Sequence, residues 1–413
     1  MPVNIVKSTS NSIQDQDRFY RIYEIILPIS LGIIAFLILI GPRVLIPTNI
    51  AWLGDGYDPT QHYLGWVFFR HAPWSFPIGL NPSYGLDISS AIVFSDSIPL
   101  LAFLFKLFSE VLPEPFQYIG MWMLSCFILQ AYFGWLLVSL ITNNKITKIL
   151  AVSLLLIAPP MLFRFGLHAA LAGHFLILAA LYLNFRQSKN YQVIWWALLL
   201  SMTALVHFYL FVMVFSLWIS DLLDRYTPLV RRAAVLLALK EIGFIFIMLL
   251  IIVWQAGYFL VSTSSAATGD YGFYNFNLLA PLQSDGWSYF FPNWPHPING
   301  EGFNFLGTGI IFVLMTSLLF WFSKKKLMSV IASVQTYRFL AIALVLLSLF
   351  AVSNHVVIGS WELMIPIPDT VNQLASILRG SGRMFWPMWY VLVLGGIYAL
   401  TRSYSTKITN AIL

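Results

Sequence analysis

The stretch EIILPISLGIIAFLILI, residues 24–40, decides the fold. One acid at its start gives way to sixteen uncharged residues. As a helix rising about 1.5 Å per residue, these cross most of a hydrocarbon core roughly 30 Å thick. The composition around the stretch agrees with that reading. Of the 413 residues, 59% are hydrophobic and 10% charged, against roughly a quarter charged in an ordinary soluble domain. Apolar runs of helical length recur along the chain, and the ten-residue alternating segments of a transmembrane barrel do not appear. The expected fold class is an all-α polytopic membrane protein. Residues 1–413 form a single membrane domain with about ten transmembrane helices, long outer loops and juxtamembrane helices.

The expected spans are 24–41, 115–141, 146–162, 169–185, 190–205, 206–223, 233–260, 307–323, 337–353 and 385–401. The run SIPLLAFLFKLF, 97–108, is too short to cross comfortably and carries Lys106, so it is placed at the interface. With it out of the bilayer, the basic clusters Arg18/Arg21, Lys145/Lys148, Arg186/Lys189, Arg225/Arg231/Arg232, Lys324–Lys326 and Arg402/Lys407 share one side. The positive-inside rule makes that side cytoplasmic, with both termini on it. The outer segments 42–114, 262–306 and 354–384 are long enough to carry function. All seven histidines, at 62, 71, 168, 174, 207, 296 and 355, fall at or near the outer face.

The net charge of +6 comes from basic residues spread along loops, which gives no evidence for a nucleic-acid partner. No GxxxxGK[ST] loop is present, so ATP-driven transport has no support. The polar residues 1–23 lack a small-residue cleavage site, which points to a retained first span. The single cysteine, Cys126, lies in an apolar run and makes an internal disulfide impossible.

In the first outer segment, DPTQHYLGWVFFR, 58–70, has the spacing of a short helix, with Pro59 in its first turn and Asp58 at its head. Asp58 suits an N-cap. It also suits a general base that takes a proton from a hydroxyl. Asp55 is the second acid of the pair, and Asp87 and Asp96 are further acids of the same segment. Outer arginines suit a phosphate that gains charge as its ester bond breaks. Arg164, Arg379 and Arg383 are the candidates, with His174 beside Arg164 and with Gly380 and Gly382 permitting close backbone approach. His62, Tyr63, Arg70, His168, Trp287 and Glu301 complete the expected substrate-binding set with Asp96. No metal or other cofactor is expected. The residues that would best suit a divalent ion are His62 with Asp55 and Asp58.

DPTQHY resembles the first-loop motif of the C-type (GT-C) glycosyltransferase superfamily of polytopic membrane enzymes. HYLGWVFFRHAPWSFPIGLNPSYGLDISSAIVFSDSIPLL, RFGLHAALAGHFLILAAL, EGFNFLG and LRGSGRMFWPMWY extend the likeness over about residues 45–400. They are similar to bacterial membrane proteins associated with O-antigen-modifying, serotype-converting glucosyltransferases. The resemblance implies a GT-C-like fold in the bacterial inner membrane and an undecaprenyl-phosphate-sugar donor. It further implies inverting transfer of a hexose, glucose by the likeness, to a lipid-linked or lipopolysaccharide glycan acceptor on the periplasmic face. Asp58 then matches the superfamily's catalytic acid. A flippase of lipid-linked sugars and an O-antigen polymerase are the alternatives.

Overall fold

The computed structural model describes residues 4–54, 58–85, 90–229, 232–260, 271–291, 300–323 and 335–413. The order of the larger elements is α1 (Asn4–Leu39), α2 (Asp58–His71), β1 (Leu80–Asn81), β2 (Ser90–Ala91), α3 (Pro99–Lys106), α4 (Ile119–Ser139), α5 (Lys145–Leu156), α6 (Pro159–Leu162) and α7 (Phe175–Phe185). There follow α8 (Gln192–Ala204), α9 (Phe208–Tyr226), α10 (Arg232–Ala256), α11 (Thr308–Ser323), α12 (Arg338–Val352), β3 (His355–Ile358), β4 (Trp361–Met364), α13 (Asp369–Ser376), α14 (Trp386–Ser403) and α15 (Thr406–Ile412). Asp55 and Asp87 lie outside the described residues.

Among the described residues, four helices are long and apolar enough to cross a membrane: Ile22–Leu39, Ile119–Ser139, Arg232–Ala256 and Ser381–Ser403. Four shorter apolar helices, Ala169–Phe185, Gln192–Ala204, Thr308–Leu319 and Arg338–Val352, lie within expected spans. Two other expected spans differ from the sequence reading. The run 146–162 is broken between α5 and α6, because Pro159 disfavours helical backbone at Ala158 and Pro160 follows it. The run 206–223 starts at Phe208 and continues to Tyr226, ending among Asp221, Asp224 and Arg225. The segment 97–108 holds an eight-residue helix, too short to span.

α7 is apolar on every side, and Phe175–Leu181 are buried throughout, which makes it a central helix. It packs against α4, α8 and α9, and α4 packs in turn on α1 and α5. Gly32 allows the α1–α4 contact, since a Cβ there would stand 2.7 Å from Ile128 Cα and Phe127 O. Only 17% of the apolar stretch of α1 and of α10 is buried, leaving Ile38 and Ile247 exposed on apolar surfaces suited to hydrocarbon. At the other end of the bundle, Arg225 joins α9 to α10 through Glu241, Nη2 to Oε1 2.6 Å, and also reaches Asp221 at 2.8 Å. Asp221 further accepts from Gln192 and Trp196 of α8, so three helices share one buried polar network.

The segment 354–384, read as a loop, contains an antiparallel hairpin, β3 with β4, in register His355↔Met364, followed by α13. Its β-branched core, Val356–Ile358, carries the strand preference.

Candidate functional site

Asp58 opens α2, and helical spacing puts His62 one turn later on the same face. One further turn on, at position 65, a side chain would collide: a Cβ on Gly65 would sit 2.4 Å from Ser95 and Ser97. The glycine therefore lets the 95–97 turn press against α2. Ser97 Oγ donates to the His62 carbonyl at 2.6 Å and Asn81 Nδ2 to the Gly65 carbonyl at 2.9 Å, which fixes the pairing. Asp96, held between these serines, has φ +53°, a left-handed conformation that costs on the order of 1–3 kcal/mol outside glycine and is least unfavourable for Asn and Asp. The local strain aims its carboxylate at three imidazoles.

His207 Nε2 is 3.2 Å from Asp96 Oδ1; His168 Nδ1 and His62 Nε2 are 3.6 and 3.7 Å from Oδ2. His207 caps α9, its Nδ1 accepting from the Tyr209 backbone N–H at 3.1 Å. That bond assigns the neutral tautomer with its proton on Nε2, directed at Asp96. His168, preceding the 169–172 turn, points its other nitrogen at two further acids, Asp58 Oδ2 at 3.3 Å and Glu301 Oε1 at 3.5 Å.

Glu301 is clamped from its far side. Its Oε2 accepts from Arg164 Nη1 at 2.8 Å and from Arg383 Nε at 2.6 Å, with Arg383 Nη2 also in contact, while Arg164 Nη2 reaches the Glu301 carbonyl at 3.2 Å. Gly382 makes this possible: a Cβ there would lie 2.8 Å from Gly302 Cα, so the two turns abut. Arg383 also stacks over Tyr209 at 4.5 Å, and the Tyr209 hydroxyl accepts from Gly380 N–H at 2.8 Å. Six segments distant in sequence thus meet in one cluster of three carboxylates, three histidines and two guanidiniums.

Burial sets the charge states first. It pushes the His62 imidazole down to about 4 despite the facing Asp96, so His62 is neutral near pH 7. Burial would raise Asp96, but His207, His168 and His62 hold it well below the usual carboxylate range. Glu301 follows the same pattern, with Arg383, His168 and Arg164 outweighing burial. Burial opposes the charged form of His168, yet its contacts with Asp96 and Glu301 raise it above the ordinary imidazole value. Burial lowers Arg164 to about 10, where it remains a cation at neutral pH.

Asp58 alone among the three acids is substantially open, with 44% of its side chain exposed against 32% for Asp96 and 16% for Glu301. A ligand entering the cluster meets Asp58 and the edge of His168 before the buried groups. One set of donors could hold a divalent ion: His62, Asp96 and His168 offer ligand atoms all within 4.8 Å of one another, with His207 steadying Asp96 from behind. The sequence reading placed any ion on His62 with Asp55 and Asp58, so this grouping with Asp96 and His168 is new.

Of the residues expected at the site, Asp58, His62, Asp96, Arg164, His168, Glu301 and Arg383 come together. Others do not. His174 is fully buried, bonded through Nδ1 to the Tyr390 hydroxyl at 2.9 Å and packed 4.2 Å from the Trp386 ring, a layer beneath the acids. Arg70 lies at the other end of α2, donating to the carbonyls of Ser109, Leu112 and Pro113. Tyr63 lines a separate cavity with Arg70 and Glu114. Arg379 sits over the Tyr274 ring at 6.0 Å, and half-exposed Trp287 packs on Phe163 and Phe303. The arginines also differ from expectation: Arg164 and Arg383 are engaged by Glu301, because burying two guanidiniums side by side requires a counter-charge. His207 and Tyr209 join the site beyond the expected set; the expected grouping of the histidines was the sequence signal for His207, and Tyr209 had none.

Fold and cluster together define a mostly helical protein with membrane-length apolar helices and a mixed acid–histidine–arginine site. Residues 29–413 match the DUF6311 family, a domain of unknown function, and the chain belongs to that family. Neither the curated proteins nor the solved structures contain a match.

Proposed function

We propose that the protein is an inverting glycosyltransferase of the bacterial inner membrane, moving a hexose from undecaprenyl phosphate to a lipid-linked or lipopolysaccharide glycan on the periplasmic face. The supporting observation is the open carboxylate of Asp58 at the head of α2, 3.3 Å from His168 and beside the Glu301 clamp. In the reaction, Asp58 takes the proton of an acceptor hydroxyl. The freed oxygen attacks the anomeric carbon as the carbon–oxygen bond to phosphate breaks on the opposite face, and the lipid phosphate leaves with the bonding electrons. Because both arginines hold Glu301, the leaving phosphate is met by N–H groups of an already neutralised cluster, with His168 as the adjacent proton-bearing group. The ten-span topology and the outward orientation of the site belong to this proposal.

The test is Asp58→Asn in cells and in purified form, read by mass and linkage analysis of the surface glycan. A folded, membrane-inserted Asp58→Asn protein that adds hexose at the wild-type rate overturns the assignment. A glycan change of chain length without an added branch would indicate a polymerase instead.

A further inference from the structure

About 18 Å along α2 from Asp58, where the helix ends at Arg70 and His71, a second polar pocket of about 510 Å³ opens against the C-terminal end of α3. Lys106 lines it. The residue is 4% exposed, and among the described residues its Nζ has no hydrogen-bond partner. Its Nζ lies over two π faces, 3.9 Å from the Phe69 ring centroid and 5.0 Å from that of Trp74. Such contacts replace only part of an ammonium's hydration, and burial lowers Lys106 to about 8. One wall is held firm, because Arg70 donates to the carbonyls of Ser109, Leu112 and Pro113 and so pins the turn after α3.

A buried cation lacking an acceptor, in a formed cavity, calls for an anion. The rim says what carries it. Trp74, Leu107, Phe108 and Val111 are 51–80% exposed around the mouth, a surface that suits acyl chains and offers nothing to a free ion. Acidic Glu110 lines the pocket, and the lining His71 is already paired with Glu114 at 3.0 Å, which disfavours polyanions and leaves room for one anionic group.

We propose that this pocket binds the phosphate group of a membrane lipid on Lys106. The site is separate from the Asp58 cluster and does not depend on the glycosyltransferase reading.

The test follows thermal unfolding of the full chain in neutral detergent with three probes: dioctanoyl phosphatidic acid, dioctanoylglycerol and inorganic phosphate. At a hundredfold excess over Kd the phosphatidic acid raises the unfolding midpoint by about 3 °C. Dioctanoylglycerol and inorganic phosphate give less than half of that shift. Lys106→Met, which keeps the bulk and removes an unpaired charge, has a midpoint at or above wild type and loses the shift. Lys106→Arg keeps it, which guards against a packing effect. Full retention of the shift in Lys106→Met, its loss in a normally folded Lys106→Arg, or an equal shift with dioctanoylglycerol overturns the site. An equal shift with inorganic phosphate overturns the lipid as its source.

Discussion

Glu301→Gln isolates what holds the cluster together. The substitution keeps shape and removes the charge that Arg164 and Arg383 share at Oε2. Arg164 is fully buried and Arg383 nearly so, with side-chain exposures of 0% and 8%, so solvent screens little of the loss. Removing one partner of a buried pair costs about 3–5 kcal/mol, chiefly by leaving charge uncompensated. With an unfolding entropy of about 2.1 cal/mol/K per residue, a chain of 413 residues loses about 3–6 °C of midpoint. Circular dichroism or dye-monitored melting in detergent reads this directly. The pH dependence gives an independent check. Glu301 is held below its ordinary value, so its contribution is complete above about 4.3 and declines as pH falls below that. Wild type should lose stability there and Glu301→Gln should not lose that share. A Glu301→Gln protein melting within about 1 °C of wild type at pH 7 refutes the claim that Arg164 depends on this carboxylate.

Other outcomes follow from the same geometry. Asp58→Asn lowers transfer by about 10²–10⁴-fold, the usual share of general-base catalysis, while midpoint and membrane insertion stay at wild type; retained turnover in a radiolabelled-donor assay counts against it. His168 is raised above the ordinary value of about 6.5, so its contribution to stability is complete below that pH and is lost as pH rises through the folded value. His168→Gln should flatten the melting profile above about pH 6.5, and an unchanged slope contradicts the ion pairing. Gly65→Ala forces the 95–97 turn away from α2 and costs about 1–3 kcal/mol by overpacking, visible as a lower midpoint. His207→Phe removes the donor facing Asp96 Oδ1 and leaves that carboxylate a partner short, which costs about 1–3 kcal/mol; a melting midpoint equal to wild type contradicts it.

The residue sequence by itself determined the elements whose cause is local. Apolar runs such as 24–40 need no partner to declare a helix, because hydropathy and length suffice, and Asp58-Pro59 pointed to a helix over the residues that α2 occupies. Asp58, His62, Asp96, Arg164, His168, Glu301 and Arg383 were each legible as polar residues in an oily chain, where a charge is conspicuous. Their assembly was not legible. Glycines 65 and 382 gain meaning from the groups that abut them, the left-handed turn at Asp96 is held by Ser97 bonding to the His62 carbonyl of α2 and Ser95 bonding to Ser97, and Glu301 gathers its arginines from 137 and 82 residues away. Arg70 and His174 looked identical in kind to the site residues until packing sent one to loop carbonyls and the other beneath Tyr390. Hydropathy records how each residue meets solvent or hydrocarbon, whereas a site is a relation between distant residues, and tertiary structure alone fixes that relation.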